Sequence, residues 1–167
     1  VVETGNIQSA LDSGCDGRVF PRIEDRISAK NCISQCFFAP RGTRGFNPFT
    51  RFNRYNLNKK KIKKKLLKII MIETKKGMEN IEEIISVSGV DVVYFGIFDL
   101  SMEYSLKITD KKLIKIIENG MSQCQKYKKE IGLMNVDKKS HMLSKKFNAK
   151  FILNDVDTNL LVKSITR

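Results

Sequence analysis

The sequence has little of the chemistry that metal-binding and disulfide-bonded proteins use: one histidine, and four cysteines without a paired arrangement. Cys32 and Cys36 are four residues apart and have no matching second pair, which excludes the usual zinc-finger spacing. We therefore expect free thiols in a reducing compartment. His141 lies at the start of a predicted helix, and we interpret it as a surface residue and not a catalytic one.

Long apolar segments, internal repeats and low-complexity linkers are also absent from the sequence. No signal peptide or bilayer-length segment follows Val1, so we expect a cytoplasmic protein with no membrane partner. Because the chain begins with valine and not methionine, a targeting segment before Val1 is an alternative that the sequence leaves open. A hydrophobic content of 41% argues against disorder. The length of 167 residues suffices for one domain, which we assign to residues 1–167.

Acidic residues are outnumbered by basic ones, and the formal net charge is +13. The densest basic segment is KKKIKKK at residues 59–65. Such a segment could attract nucleic acid or an anionic membrane. However, lysines occur in nearly every predicted helix, and no aromatic residues interrupt the run. Since Ile62, Leu66 and Ile69 follow helical spacing, we predict a solvated helix face and no nucleic-acid partner.

The order of predicted elements is an alternation of strands and helices, which favours an α/β fold with a parallel sheet. Predicted strands cover 17–21, 69–74, 92–101, 131–135 and 150–153, with a possible sixth at 1–2. Predicted helices cover 6–12, 24–37, 49–65, 75–85, 109–124, 137–147 and 157–165, the last capped by Asp157 or Thr158. A closed (β/α)8 barrel needs eight strands and about 250 residues. The chain is therefore either a partial barrel, about strands 3 to 8, or a smaller open sheet.

Two of these strands end in carboxylates, IIMIET at 69–74 and VVYFGIFDLS at 92–101. A helical segment with an apolar face joins them, so the two strands form one βαβ unit and are neighbours. Neighbouring strands lie about 4.8 Å apart. Glu73 and Asp99 would then meet at the same edge of the sheet and share one divalent cation. Two solvated loop acids are the alternative.

Four segments, taken in order, give this sequence a resemblance to the HpcH/HpaI aldolase family of the phosphoenolpyruvate/pyruvate barrel superfamily. APRGTRG at 39–45 is similar to the family's P-P-x-G-x-R-G loop, and IET at 72–74 to its Q-I-E-T strand. GIFDLS at 96–101 is similar to G-P-A-D-L-S, and VDTNLL at 156–161 to V-D-T-x-L-L. The resemblance extends nearly end to end and implies a (β/α)8 barrel that lacks its N-terminal third.

The resemblance implies a metal-dependent aldolase or lyase that acts on pyruvate-like 2-keto acids through a pyruvate enolate. Glu73 and Asp99 are carried over as metal ligands, and oxygen-only ligation suits Mg²⁺ or Mn²⁺. Backbone amides at Gly96 to Asp99, Phe98 included, would receive the substrate carboxylate. Gly42 and Arg44 would line the mouth of the same site, that is, the opening through which the substrate enters.

The sequence also departs from the family pattern. Met71 replaces the glutamine beside the metal glutamate, and Phe98 replaces a small residue. The family's arginine and proton-transferring histidine have no evident counterpart, so the catalytic residues are unassigned and we expect the chain alone to have little activity. The alternatives are a citrate-lyase-like or acyl-CoA lyase, a non-catalytic remnant of the fold, and a basic nucleic-acid binder. Unpaired strand edges would favour a homo-oligomer.

Overall fold

The computed structural model describes residues 4–57, 65–135 and 137–166. Five strands lie in this part of the chain: β1 (Gly17–Phe20), β2 (Leu67–Ile72), β3 (Val92–Phe95), β4 (Glu130–Met134) and β5 (Phe151–Leu153). The α-helices described are α1 (Thr4–Asp12), α2 (Arg26–Ser34), α3 (Lys75–Glu79), α4 (Ile81–Ile85), α5 (Ile97–Glu103), α6 (Lys111–Lys126), α7 (Lys138–Lys146) and α8 (Asp157–Ile165). A 3-10 helix spans Arg54–Asn56.

The strands form one parallel sheet in the order β1-β2-β3-β4-β5, so each strand pairs with the next one along the chain. Within it Ile69 lies opposite Val92, and Val92 lies opposite Glu130. At least one helix lies between each pair of consecutive strands, and the sheet curls into half of a barrel. The predicted α/β class and the partial (β/α)8 barrel are therefore confirmed. The possible sixth strand at residues 1–2 lies outside the described residues.

The two faces of the sheet differ in what covers them, because successive side chains of a strand point to opposite sides. Ile70 and Phe95 belong to the face that the helices cover, which carries the main hydrophobic core. Ile69 and Tyr94 belong to the other face and form a smaller buried cluster with Val92. Three partly buried side chains pack against this smaller cluster: Met71, Met134 and Phe151. Burial on both faces explains why the strand sequences are nearly continuous apolar runs.

Carboxylate caps fix where two of the helices begin. Asp25 and Asp137 each accept a hydrogen bond from the backbone N–H three residues later, in capping boxes that start α2 and α7. The start of α8 differs from the prediction. Val156 occupies the cap position, Asp157 is already the first helical residue, and no side chain caps the helix.

Two predicted helices were wrong in part. The helix predicted over 49–65 is, within the described residues 49–57, a turn followed by the short 3-10 helix. Arg54, Tyr55 and Asn56 adopt positive φ angles, which a right-handed α-helix cannot contain. The helix predicted over 75–85 is divided into α3 and α4 at Asn80, whose side-chain Nδ2 donates to the backbone oxygen of Glu24.

The basic run at 59–65 falls largely on residues 58–64, which lie outside the described residues. Of the run, Lys65 is described and is exposed, and the adjacent Leu66 is buried. The prediction of a solvated helix face therefore stays a prediction. None of the helices in the described ranges combines the length and the apolarity that a bilayer-spanning helix needs.

Candidate active site

Glu73 lies at the carboxyl edge of the sheet, the edge at which the parallel strands end. It is the first residue after β2 and is buried, with a relative exposure of 5%. Its Oε1 accepts a hydrogen bond of 2.8 Å from the backbone N–H of Arg22, which follows the end of β1. The next residue, Thr74, caps α3 with its side chain. The chain thus turns away immediately after Glu73 and leaves the carboxylate at the edge.

Asp99 lies at the same edge, but on a helix and not at the end of a strand as the sequence predicted. Strand β3 ends at Phe95, and Asp99 belongs to the first turn of α5 and not to the end of a strand. Gly96 joins the two elements, and its backbone N–H donates to the backbone oxygen of Ile72 at 3.0 Å. The apolar run at 92–101 is therefore part strand and part helix, an ambiguity that short apolar runs carry.

The carboxylates of Glu73 and Asp99 face each other closely enough to interact. Burial raises the pKa of Glu73, the hydrogen bond from the Arg22 backbone opposes that rise, and the charge of Asp99 adds to it. A side-chain hydrogen bond to Asp99 raises the pKa of Glu73 further. Two carboxyl groups that share a site without a cation repel each other once both are ionised. Such a pair is an arrangement in which a divalent cation would be stabilising.

Gly96 makes this proximity possible. A Cβ atom placed on Gly96 would lie 2.8 Å from Cβ of Glu73 and 3.1 Å from its Oε2. The carbon–carbon separation of 2.8 Å is too short for atoms that are not bonded, so a side chain at this position would displace the glutamate. Phe98, two residues later, is 49% exposed at the same edge. The structure thus brings four of the predicted site residues together: Glu73, Gly96, Phe98 and Asp99.

Tyr94 is a neighbour of this site that the sequence analysis missed. It lies opposite Met71 in the register of β2 and β3 and is buried on the less covered face of the sheet. Burial raises its pKa to about 12, and the nearby charge of Glu73 contributes to the increase. The phenol is therefore protonated at neutral pH. The alternation of side chains along β3, which puts positions 94 and 96 on one face, was the available signal.

Gly42 and Arg44 are not part of this arrangement, and the prediction that they line the same mouth is wrong for this chain. Arg44 is buried and its Nη2 donates to Oδ1 of Asp12 at 2.6 Å. Asp12 ends α1 and so precedes β1, which puts Arg44 at the amino edge, where the strands begin. The physical reason is topological: a loop that follows a helix and leads into a parallel strand returns to the edge at which that strand starts.

Gly42 packs tightly against the end of α2. A Cβ atom there would collide with the backbone oxygens of Ser34 and Phe37. The glycine therefore permits a close approach of two backbone segments.

His141, interpreted from the sequence as a surface residue, is exposed in α7, and its ring nitrogen Nδ1 lies 3.4 Å from Nδ2 of Asn135.

A curled parallel sheet with helices between its strands, and acidic residues at its carboxyl edge, defines a barrel-type α/β protein with a candidate active site at the usual edge. The chain matches the sequence model of the HpcH/HpaI aldolase/citrate lyase family over residues 2–159 and belongs to that family.

Named relatives and solved structures agree with this assignment. The chain is 31% identical to a 4-hydroxy-4-methyl-2-oxoglutarate aldolase of Chaetomium globosum, over 94% of this chain and 62% of that protein. It is 26% identical to a 4-hydroxy-2-oxo-heptane-1,7-dioate aldolase of Salmonella paratyphi B, over the same shares. The crystal structure of a family protein from Burkholderia cenocepacia superposes with a TM-score of 0.90 at 20% identity, covering 98% of this chain and 67% of that one. The chain thus spans about 62% of the length of these relatives.

Proposed function

We propose that the protein is a divalent-cation-dependent aldolase that cleaves a 4-hydroxy-2-oxo acid. The reaction would break the bond between carbons 3 and 4 and release a pyruvate-like 2-oxo acid and a carbonyl compound. The facing carboxylates of Glu73 and Asp99 at the carboxyl edge carry the proposal. Two relatives are named as aldolases of 4-hydroxy-2-oxo dicarboxylates, which supports this substrate class. Nothing in the described geometry favours the citrate-lyase-like alternative.

The residues present fit a small hard cation. Both candidate ligands offer carboxylate oxygens, which Mg²⁺ and Mn²⁺ prefer. The described residues contain no group of three or more histidine, cysteine, aspartate and glutamate side chains suited to a metal. Two carboxylates are nevertheless enough for Mg²⁺, which usually keeps several water ligands and leaves positions for substrate oxygens. When bound, the cation would supply Lewis-acid stabilisation of negative charge on the 2-oxo group.

The residues around the carboxylates would orient the substrate. The first backbone N–H groups of α5 have no partner within the helix, because they belong to its first turn. We infer that the amides of Phe98 and Asp99 bind the substrate carboxylate. Gly96 keeps the space beside Glu73 open, and the protonated phenol of Tyr94 contributes a neutral wall on the barrel side of the carboxylate.

Apart from the two candidate ligands, the described residues offer no evident proton acceptor at this site, and the neighbouring Tyr94, with a pKa of about 12, is a poor proton donor. A positioned acid or base contributes roughly 10²- to 10⁴-fold to such reactions. We therefore expect the 167 residues alone to turn over a 4-hydroxy-2-oxo acid slowly, by about that factor, compared with a relative of full family length. Cation binding should be retained, because both candidate ligands belong to this chain.

Further copies of the chain are the partners we infer. Four large apolar side chains of α8 are between 56% and 72% exposed: Leu160, Leu161, Val162 and Ile165. Exposed apolar side chains of this size favour association. This supports the expected homo-oligomer. All four cysteines are free thiols, which supports the expected cytoplasmic compartment.

The test combines Mn²⁺ binding with pyruvate release from a 4-hydroxy-2-oxo acid. We expect Mn²⁺ to bind the wild-type protein, and both Asp99→Ala and Glu73→Gln to abolish binding and any turnover. Glu83→Ala is the matched control, since Glu83 is an exposed acid of α4. A protein that binds no Mn²⁺, or whose turnover survives Asp99→Ala, would contradict the proposal. Fast Asp99-dependent turnover would leave the function standing and overturn only the expectation of low activity.

A further inference from the structure

Arg22 lies beside the candidate active site in a backbone conformation that is unusual for an arginine. It follows the end of β1 by two residues, and its backbone N–H donates to Oε1 of Glu73 at 2.8 Å. Its Cα therefore lies within about 4.3 Å of that oxygen, since the N–Cα bond adds about 1.5 Å. The next N–H, that of Ile23, donates to the backbone oxygen of Met71 at 3.2 Å. These two hydrogen bonds hold the turn after β1 against the end of β2.

The φ angle of Arg22 is 51°, in the left-handed region that glycine adopts more readily than residues with a side chain. Most other described residues with such an angle, glycine excepted, have a local explanation. Ser105, Lys128 and Asn148 each follow the residue that caps the end of a helix, where this conformation is common. Residues 54–56 form the 3-10 helix. Arg22 differs because it follows a strand at the carboxyl edge, and strained backbone beside an active site points to a function of the residue.

The side chain of Arg22 is accessible and only loosely paired. It is 61% exposed, and its Nη2 lies 3.7 Å from Oε1 of Glu24, which is longer than a hydrogen bond. Glu24 is shared with Lys76, whose Nζ lies 3.7 Å from the other carboxylate oxygen. Exposed ion pairs of this kind contribute little to stability. The guanidinium therefore keeps N–H donors available to a ligand.

The strand order β1-β2-β3 puts Arg22 and the start of α5 on opposite sides of Glu73. Neighbouring strands are about 4.8 Å apart, so the ends of β1 and β3 are about 10 Å apart. The amides of Phe98 and Asp99, to which we assign the first substrate carboxylate, lie on the β3 side. The positive charge of Arg22 lowers the pKa of Glu73, which agrees with a position close to the site. A second carboxylate of an extended substrate would lie on the β1 side, within reach of Arg22.

We propose that Arg22 is a specificity-determining residue, which binds a second carboxylate that the substrate carries beyond the bond that is cleaved. This inference rests on the proposed aldolase function. It narrows the substrates to 4-hydroxy-2-oxo acids with a carboxylate beyond carbon 4, whose cleavage releases an oxo acid and not a neutral aldehyde or ketone. A guanidinium suits this role, because two parallel N–H donors match the two oxygens of a carboxylate. The substrate carboxylate replaces the loose contact with Glu24.

Two ligands of equal chain length test this role, because they lack the 4-hydroxyl group needed for cleavage and differ only at the far end. 2-Oxoglutarate ends in a carboxylate, and 2-oxopentanoate ends in a methyl group. Calorimetric titration of the Mn²⁺-loaded protein at constant ionic strength measures both affinities. We expect 2-oxoglutarate to bind at least about tenfold more tightly, the gain expected from one charge-assisted hydrogen bond.

Arg22→Gln should reduce the affinity for 2-oxoglutarate to that for 2-oxopentanoate and leave the affinity for 2-oxopentanoate unchanged. The fold and the hydrogen bond to Glu73 should be retained, because the side chain of Arg22 is exposed and the donor is a backbone group. Lys76→Gln is the matched control, since Lys76 is 59% exposed and lies at the same distance from Glu24. We expect it to leave both affinities unchanged.

Three results overturn the inference and leave the aldolase proposal intact. The wild type binds both ligands equally, Arg22→Gln weakens both ligands equally, or Lys76→Gln weakens 2-oxoglutarate binding as much as Arg22→Gln does. The second result would show that Arg22 only supports the position of Glu73, and the third would show attraction to the basic surface as a whole. Failure of both ligands to bind the Mn²⁺-loaded protein would overturn the aldolase proposal and this inference with it.

Discussion

The two edges of the sheet both bury charged side chains, but they balance the charge in different ways. At the amino edge the buried cations Arg44 and Lys68 are each paired with a carboxylate, Asp12 and Asp91. At the carboxyl edge the buried Glu73 faces another carboxylate. The exposed side chain of Arg22 pairs with Glu24, and its charge lowers the pKa of Glu73 without offsetting the rise caused by burial.

This difference separates stabilising from functional electrostatics. An ion pair compensates the desolvation of both partners, so the amino-edge pairs are compatible with a role in folding. Among the described residues no lysine or arginine side chain forms an ion pair with the buried Glu73, and its neighbour Asp99 is a second carboxylate. A buried acid with a raised pKa is typical of functional sites. The contrast implies that mutations at the two edges have different consequences for stability and for cation binding.

Breaking an amino-edge pair should destabilise the fold strongly. Asp91→Ala leaves Lys68 buried without a counter-charge and removes the acceptor of its backbone N–H. We expect a loss of about 3–5 kcal/mol in the free energy of unfolding, measured by urea denaturation. Replacing both partners, Lys68→Met with Asp91→Ala, should restore the part of this loss that comes from the unpaired charge, but not the part that comes from the lost acceptor of the backbone N–H.

Glu118→Ala provides the control for that experiment, because its partner Lys146 is 61% exposed. Exposed pairs contribute about 0–1 kcal/mol, so this variant should be close to the wild type. Similar losses for Asp91→Ala and Glu118→Ala would show that the amino-edge pair is no more important than a surface pair.

The fold of this chain was largely predictable, because its strands have strong local signals. The runs at 69–74 and 131–135 are apolar and bounded by polar residues, and Asp25 and Asp137 occupy positions where carboxylates cap helices. The errors occurred where local signals compete. Asn80 divides a helix that its apolar spacing favours, and Arg54 to Asn56 adopt left-handed backbone angles that no glycine announces.

The candidate site was predictable only in part, for reasons of topology. Glu73 and Asp99 could be placed from the βαβ order, although Asp99 arrives on a helix and not on a strand. The position of Arg44 could not be inferred from its motif, because the motif does not reveal to which edge a long loop returns. Its partner Asp12 is 32 residues away, a contact that neither spacing nor composition indicates.

Divalent cations should stabilise the carboxyl edge and leave the amino edge unaffected. With free Mn²⁺ at about 100 times its Kd, we expect the free energy of unfolding of the wild type to rise by about 2.7 kcal/mol. Asp99→Asn should remove this increase, since it deletes a candidate ligand without changing the size of the side chain. An equal Mn²⁺ effect in wild type and Asp99→Asn would contradict a role for Asp99.

Introducing a side chain at Gly96, which would displace Glu73 from its position beside Asp99, should have a smaller effect on stability. Gly96→Ala introduces a Cβ 2.8 Å from Cβ of Glu73, and we expect a loss of about 1–2 kcal/mol together with weaker Mn²⁺ binding. Gly45→Ala is the comparison at the amino-edge loop. The atoms nearest to its Cβ would be those at the side-chain end of Gln8, at 3.0 Å, which can move aside. Unchanged Mn²⁺ affinity in Gly96→Ala would show that the position of Glu73 does not depend on this glycine.

The smallest expected effect is a pH-dependent increase in the free energy of unfolding when the charge of Glu73 is removed. The folded-state pKa of Glu73 is raised, chiefly by burial, above its ordinary value of 4.5. The contribution of the Glu73 carboxyl to the free energy of unfolding is therefore fully favourable below its pKa in the unfolded chain. It is lost as the pH rises through its pKa in the folded protein. Without divalent cations, Glu73→Gln should be more stable than the wild type at pH 7 by up to about 1 kcal/mol. The difference should vanish below pH of about 4, where the carboxyl is protonated in both states.

Urea denaturation in EDTA across this range measures the difference in stability, with the exposed Glu83→Gln as a control that should show no such trend. Because Mn²⁺ stabilises only the wild type, adding it should reverse the order of the two proteins. A Glu73→Gln variant less stable than the wild type at pH 7 in EDTA would mean that the Arg22 N–H compensates the buried charge, and the contrast between the two edges would fail.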